Sequence, residues 1–281
     1  MELQGKTAVI TGGASGIGLA TARQFARSGV NLVLGDIEEA PLKLAVEGLR
    51  ADGANVIGVK TDVSVEQDVV AMRDAALQEF GAAHIIFNNA GVGVGPTIGT
   101  PKKVWDWVMA VNVDGVINGI NAFVPMFLEQ NEGHVINTGS LAGLGGVPGM
   151  GAYCASKFAV VGISECLFHE FALSGKNVGV SALCPGFVRT RINESYRNMP
   201  KELLDDYVTP SEQAAADMGA NAVANGIEVA EVATAVEHAV RTNSFWILTH
   251  QRSAVRTTEL RAAWMQGGPP PRINLEKATK S

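Results

Sequence analysis

The sequence predicts an α/β fold: a doubly wound, seven-stranded parallel sheet with helices on both faces. Three observations carry this. Strand-like runs alternate with helix-like runs from the start, the pattern of successive βαβ units. A glycine-rich turn joins the first strand to the first helix. With 47% hydrophobic and 18% charged residues over 281 positions, the chain can bury a sizeable core.

TAVIT (7–11) reads as the first strand, followed by a helix from Ile17 to Ser28. NLVLGD (31–36) is the second strand, and Pro41 suits the first turn of the next helix. NVIGVK (55–60) is the third; Ser64 then opens a helix with Gln67 as its capping-box partner. HIIFNN (84–89) and HVINTGS (134–140) give the fourth and fifth strands. Between them Thr100-Pro101 starts a helical stretch that runs to Gln130. The helix that carries Tyr153 continues through FAVVGISECLFHEFALSG and is apolar nearly all round, so burial against a second subunit is expected. NVGVSALCPG (177–186) and SFWILTH (244–250) complete the sheet. Residues 191–226 fit no strand and read as an insertion over the substrate side of a single domain, 1–266, with a polar tail, 267–281, after GGPPPR.

The net charge of −6 argues against nucleic-acid or anionic-membrane partners. No apolar run approaches the roughly 18 residues of a membrane span, and no basic leader precedes the first strand, so a cytoplasmic location is expected. Cys154, Cys166 and Cys184 form no C-x-x-C pair and imply buried thiols in a reducing compartment. The five histidines lack ligand spacing, so no metal is expected.

The turn T-G-G-A-S-G-I-G (11–18) places Gly12, Gly16 and Gly18 between strand and helix. Glycines there let the backbone approach a pyrophosphate, and the helix start offers N–H groups and a positive dipole end. The spacing is G-x-x-x-G-x-G, not the common G-x-G-x-x-G. Asp36 ends the second strand, where a carboxylate accepts both adenosine ribose hydroxyls and repels a 2′-phosphate; no Arg or Lys stands at Ala14 or Ile37. This favours NAD over NADP.

Tyr153 and Lys157 lie four residues apart and share a helix face. A tyrosine poised near pH 7 needs its pKa lowered by about 3 units, or about 4 kcal/mol. One ammonium at about 4 Å supplies energy of that order. Such a tyrosine could exchange a proton with an alcohol while hydride passes to a cofactor. Ser140, at the end of the fifth strand, could steady the substrate oxygen.

Together these residues resemble the short-chain dehydrogenase/reductase family, of the compact, single-domain type with a Rossmann fold, over residues 1 to about 250. TGGASGIG, with Ser15 and Ile17, matches its cofactor loop, and NNAG (88–91), with Asn89, Ala90 and Gly91, matches the motif after the fourth strand. Asp62-Val63 matches the pair beside the adenine. Ser140 and Y-x-x-x-K match the catalytic serine and the Tyr153/Lys157 motif, and Asn112 matches a fourth catalytic residue that holds a water linked to the lysine. Pro185, Gly186, Val188 and Thr190 match the segment that holds the nicotinamide carboxamide. The resemblance implies a homotetramer or homodimer built on helices 101–130 and 153–174. The FVPMF segment and the extension after FWILTH look like members that handle bulky secondary alcohols.

The implied activity is hydride transfer between NAD and a secondary alcohol or ketone. Two rivals remain: an NADPH-dependent ketoreductase, and a catalytically silent dinucleotide-binding regulator, against which the full Asn112, Ser140, Tyr153 and Lys157 set argues. An extended-type epimerase would need a T-G-x-x-G-x-x-G loop, which is not here. The expected pocket walls, 92–99, 141–150 and Phe187 through the insertion, carry few charges and suggest a neutral, apolar substrate, with Arg191, Asn193 or Tyr196 able to reach a polar group.

Overall fold

The computed structural model describes residues 1–93, 95–204 and 219–271. Seven strands, all paired in parallel, form one sheet: β1 (Thr7–Thr11), β2 (Asn31–Asp36), β3 (Val56–Lys60), β4 (Ile85–Asn88), β5 (Gly133–Thr138), β6 (Val178–Leu183) and β7 (Trp246–Ile247). Their spatial order is β3-β2-β1-β4-β5-β6-β7. The order reverses between β1 and β4, so a crevice opens there at the carboxyl ends of the strands.

The pleat of the strands sorts side chains to two cores. Ala8 and Ile10 of β1 face one layer, and Val9 faces the other. The first layer holds α1 (Gly16–Arg27), α2 (Glu39–Ala51) and α8 (Val229–Thr242), with Phe25, Leu42 and Val232 turned inward. The second holds α3 (Glu66–Phe80), α5 (Gly115–Gln130) and α6 (Gly151–Ser174), with Met72, Phe123 and Leu167 inward. A short α4 (Lys102–Met109) precedes α5, α7 (Lys201–Leu204) lies in the insertion, and α9 (Gln251–Met265) follows β7.

Several expectations are corrected. The stretch from Thr100 to Gln130 is not one α-helix: a π-helical turn, Ala110–Asp114, joins α4 to α5 and contains Asn112. The predicted Ser64/Gln67 capping box does not form. Ser64 instead donates from its amide and hydroxyl to Asp62 Oδ1, at 3.0 and 2.6 Å, and α3 begins at Glu66. A capping box does form at Glu228/Glu231, at the start of α8. The inner face of helix α6 packs on the sheet, while Phe168 and Leu173 are exposed on the single chain. Cys154 and Cys184 are buried as expected, but Cys166 is exposed. Two helical stretches, Lys102–Gln130 and Gly151–Ser174, are in fact long and apolar enough by composition to cross a membrane, contrary to the reading of the linear sequence. About half of each window is buried in the molecule, because these are the helices that cover the sheet. Of the insertion, residues 205–218 lie outside the described residues, as do residues 272–281 of the tail.

Candidate active site

One cleft of about 1750 Å³ runs along the carboxyl edge of the sheet, from Asp36 past Gly12 to Ser140, Tyr153 and Lys157. Pockets for a single drug-sized ligand span about 300–1,000 Å³. The cleft therefore has room for a dinucleotide and a substrate together.

At its floor the β1–α1 turn closes on itself. Gly12 adopts φ +63°, and a Cβ there would meet Ala90 Cα at 3.0 Å; a Cβ on Gly18 would lie 2.3 Å from the Gly12 carbonyl oxygen. Only glycine permits this turn, and the bare backbone it exposes can approach a ligand closely. Asn89 braces it. The amides of Asn89 and Ala90 donate to Thr11 Oγ1 at 2.9 and 3.0 Å, and Asn89 Nδ2 donates to the Thr11 carbonyl at 2.9 Å. Ser15 occupies the N-cap of α1 without a side-chain cap bond. The first amides of a helix have no partner within it, so this end can receive an anion.

Asp36 is buried and lines the cleft. Its Oδ2 accepts the Ala14 amide and its Oδ1 the Glu38 amide, both at 3.0 Å. Burial pushes its pKa up, and the two amides pull it back. Each oxygen keeps a lone pair for a ribose hydroxyl. Asp62 and Val63 also line the cleft, where Val63 packs on Gly115. A cation does approach Asp36: Arg197, from the insertion, lowers its pKa slightly. Both Nε and Nη2 of Arg197 are directed at Glu38 Oε2, at 3.0 and 2.9 Å. Spacing along the chain gave no signal of this residue.

At the other end, β5 and α6 bring Ser140 and Tyr153 into side-chain hydrogen bonding. Lys157 is 3% exposed, donates to the Thr138 carbonyl at 2.8 Å, and places Nζ 5.5 Å from the Tyr153 ring centroid. Burial pulls the lysine down to about 8. Burial likewise pushes the Tyr153 hydroxyl up, and the Ser140 bond only partly offsets this. Among the protein's own groups desolvation therefore wins, and lowering the Tyr153 pKa would need the second positive charge of an oxidised nicotinamide beside Lys157.

The Asn112 side chain makes three hydrogen bonds. Its Oδ1 accepts the Val92 amide at 2.8 Å, while its Nδ2 donates to the Val92 carbonyl and to Ser156 Oγ, both at 2.9 Å. A Cβ on Gly91 would meet both Asn112 Oδ1 and Lys157 Nζ, at 3.3 and 3.4 Å, so the π turn does sit beside the lysine. Pro185 accepts the Leu141 amide at 3.0 Å, and the Gly186 amide donates to His250 Nδ1 at 3.2 Å. Val188 is buried in a bridge to Ile227, and Thr190 packs against Gly16. All four reach the cleft. Cys154 stays a packing residue, since burial raises its thiol pKa; Cys184 is pushed up to about 12.

Arg191, Asn193 and Tyr196 line the cleft, with Arg191 Nε bound to Glu194 at 2.6 Å. The wall that sequence reasoning missed is α9, which adds Arg256, Thr257, Leu260, Arg261 and Trp264. A Cβ on Gly145 would touch Thr257 at 2.5 Å, so this helix leans on the 141–150 segment. Its mixed, weakly patterned sequence hid that face. Among the described residues no group of His, Cys, Asp and Glu could hold a metal ion. The glycine turn, the bare helix start and the paired acceptors of Asp36 do fit NAD.

Parallel sheet, glycine turn and Ser-Tyr-Lys cluster define an oxidoreductase built on a Rossmann-type fold. The chain belongs to the short chain dehydrogenase family, whose model matches residues 6–201. It is 41% identical over 198 residues to 3beta-hydroxysteroid dehydrogenase 2 of Eggerthella lenta, covering 69% of this chain and 75% of that protein. It is 30% identical to a CLA biosynthesis dehydrogenase/reductase of Lactiplantibacillus plantarum, covering 89% of each chain. A short chain dehydrogenase/reductase from Burkholderia phymatum, solved in complex with NAD, superposes with a TM-score of 0.94 at 42% identity, over 98% of this chain and 99% of that one.

Proposed function

We propose that the protein is an NAD-dependent dehydrogenase of secondary alcohols, able to run the reverse reduction of the ketone. The observation that carries this is the convergence of Ser140, Tyr153 and Lys157 at the end of a cleft whose other end is Asp36. Gly12, Ser15, Gly16, Ile17 and Gly18 would hold the pyrophosphate, and Asp36 the adenosine ribose. Asp62, Val63, Asn89, Ala90 and Gly91 would line the adenosine and central part, and Pro185, Gly186, Val188 and Thr190 the nicotinamide end. NAD would supply the hydride acceptor and a second positive charge near Tyr153. Ser140 would hold the substrate oxygen, and Tyr153 would take its proton while Lys157 stabilises the phenolate. Asn112 would act by fixing Val92 and by carrying a water toward Lys157.

The cleft walls are largely apolar, and a relative acts on a hydroxysteroid, so a bulky alicyclic or aromatic alcohol is the substrate class we favour. Residues 1–266 would form one catalytic domain, working as a cytoplasmic homo-oligomer. The test is NADH formation from NAD across aliphatic, aromatic and steroid secondary alcohols, with NADP in parallel. Turnover with NAD and one class supports the reading. Turnover with NADP alone would overturn the cofactor assignment, and tight NADH binding without turnover of any alcohol would favour the silent regulator.

A further inference from the structure

The 3-10 turn Ile192–Asn198 is pinned at two places that belong to opposite ends of the cleft. At the reactive end, Ser195 Oγ accepts the Gly93 amide at 2.9 Å, and Ser195 is only 2% exposed. A Cβ on Gly93 would meet Ile192 at 3.4 Å and the Tyr153 ring at 3.7 Å, so this anchor adjoins the proton-transfer group. At the adenosine end, Arg197 grips Glu38 across 159 residues of sequence. Glu38 donates its amide to Asp36 Oδ1 at 3.0 Å, so that anchor adjoins the ribose acceptor.

The Arg197 grip is built differently from a chance surface pair, which contributes little. Its Nη1 donates to the Arg191 and Glu194 carbonyls at 3.0 and 3.1 Å, which fixes the guanidinium on the turn and aims its remaining edge at Glu38. Arg191 binds Glu194 through its Nε and adds only a weaker, through-space attraction to Glu38. Glu38 stands at the N-cap of α2 yet makes no cap bond to that helix. Its carboxylate instead receives Arg197 and Asn198. The two side chains are 25% and 20% exposed.

We propose that Arg197 is a positioning residue: its bridge to Glu38 latches the 192–198 turn across the cofactor cleft, and opening this bridge limits how fast nicotinamide dinucleotide leaves. This rests on the reading of the cleft as an NAD site. The latch ties cofactor retention to the substrate side, because the same turn carries Ile192 and Ser195 beside Tyr153.

The test has two readouts. Stopped-flow fluorescence gives the NADH release rate, and hydrogen exchange at residues 192–198 of the ligand-free chain reads the latch without cofactor. Arg197→Gln and Glu38→Gln should each speed both about tenfold, and the charge swap Glu38→Arg/Arg197→Glu should bring both back toward wild type. Rescue by the swap separates a specific bridge from general damage to the turn. Wild-type exchange in the single variants, or additive effects with no rescue, would overturn the latch. Faster exchange with an unchanged NADH release rate would overturn the role in release. A wild-type protein that binds no NADH would overturn the cofactor reading and the release role with it, while exchange would still decide the bridge.

Discussion

Tyr153 is held between two opposing influences: burial raises its pKa, and the Ser140 hydroxyl lowers it. The phenolate is the base for alcohol oxidation and the neutral phenol is the acid for ketone reduction. With the pKa pushed up, the fraction of phenolate grows as pH rises above neutral. Oxidation should therefore speed up toward alkaline pH and reduction should slow, measured as kcat/KM in each direction on the alcohol and ketone pair found in the panel. Tyr153→Phe should cost about 10²–10⁴-fold in rate, the usual worth of a general acid–base group, while NADH still binds. Turnover near wild type in that variant would sink the assigned role. Asp36 invites a separate prediction. Asp36→Ala removes the ribose acceptor and leaves Arg197 nearby, so the NAD/NADP ratio of kcat/KM should fall by at least tenfold; an unchanged ratio would show that specificity lies elsewhere. These residues were legible in the sequence because their chemistry needs fixed spacings, such as four residues between Tyr153 and Lys157. Arg197 was not, since nothing local marks a side chain whose partner lies 159 residues away.

At the scale of elements, the π turn is the feature that linear pattern could not show. Apolar spacing continues through residues 102–130, so the stretch reads as one helix, and a single wider turn leaves no signature in residue type. Its effect is to turn Asn112 inward onto Val92, where three hydrogen bonds replace solvent at a completely buried position. Asn112→Ala would leave the Val92 amide and carbonyl without partners. Each buried unsatisfied group costs about 1–3 kcal/mol, and 1 kcal/mol lowers Tm by roughly 2–4 °C in a chain somewhat smaller than this. Thermal unfolding should thus begin roughly 4–24 °C lower, with activity reduced as well. A Tm within 2 °C of wild type would mean that Val92 finds other partners and that the turn is not held by this side chain. Helix α9 failed to register as a wall for a related reason: only Ala254 of its fifteen residues is buried, so no apolar stripe announced which side faces the cleft.

For the whole molecule, the parallel sheet and the two-layer core follow from the alternation of strand and helix, and most strand limits fell within two or three residues of expectation; the order of the strands did not follow from alternation. The last strand is the exception: SFWILTH reads as seven residues, yet only Trp246 and Ile247 pair with β6. An edge strand gains hydrogen bonds on one side only, so its length is set by its neighbour and not by its own apolar content. The outer faces of α5 and α6 bear on assembly. Ile117 on α5 and Phe168 on α6 are exposed, at 37% and 43%, on helices whose inner faces already cover the sheet. Large apolar side chains on long, parallel-covering helices are what a homodimer or homotetramer would bury. Sedimentation should accordingly give an assembly of two or four chains. Introducing charge on both helices, as Ile117→Glu with Phe168→Glu, should shift it to single chains with little change in circular dichroism. Phe168 also stacks edge-on against Phe245 at 5.1 Å, so Phe168→Leu serves as the control: it loses that ring contact but keeps the surface apolar, and should remain assembled. Wild-type assembly in the double-glutamate variant would place the interface on some other face.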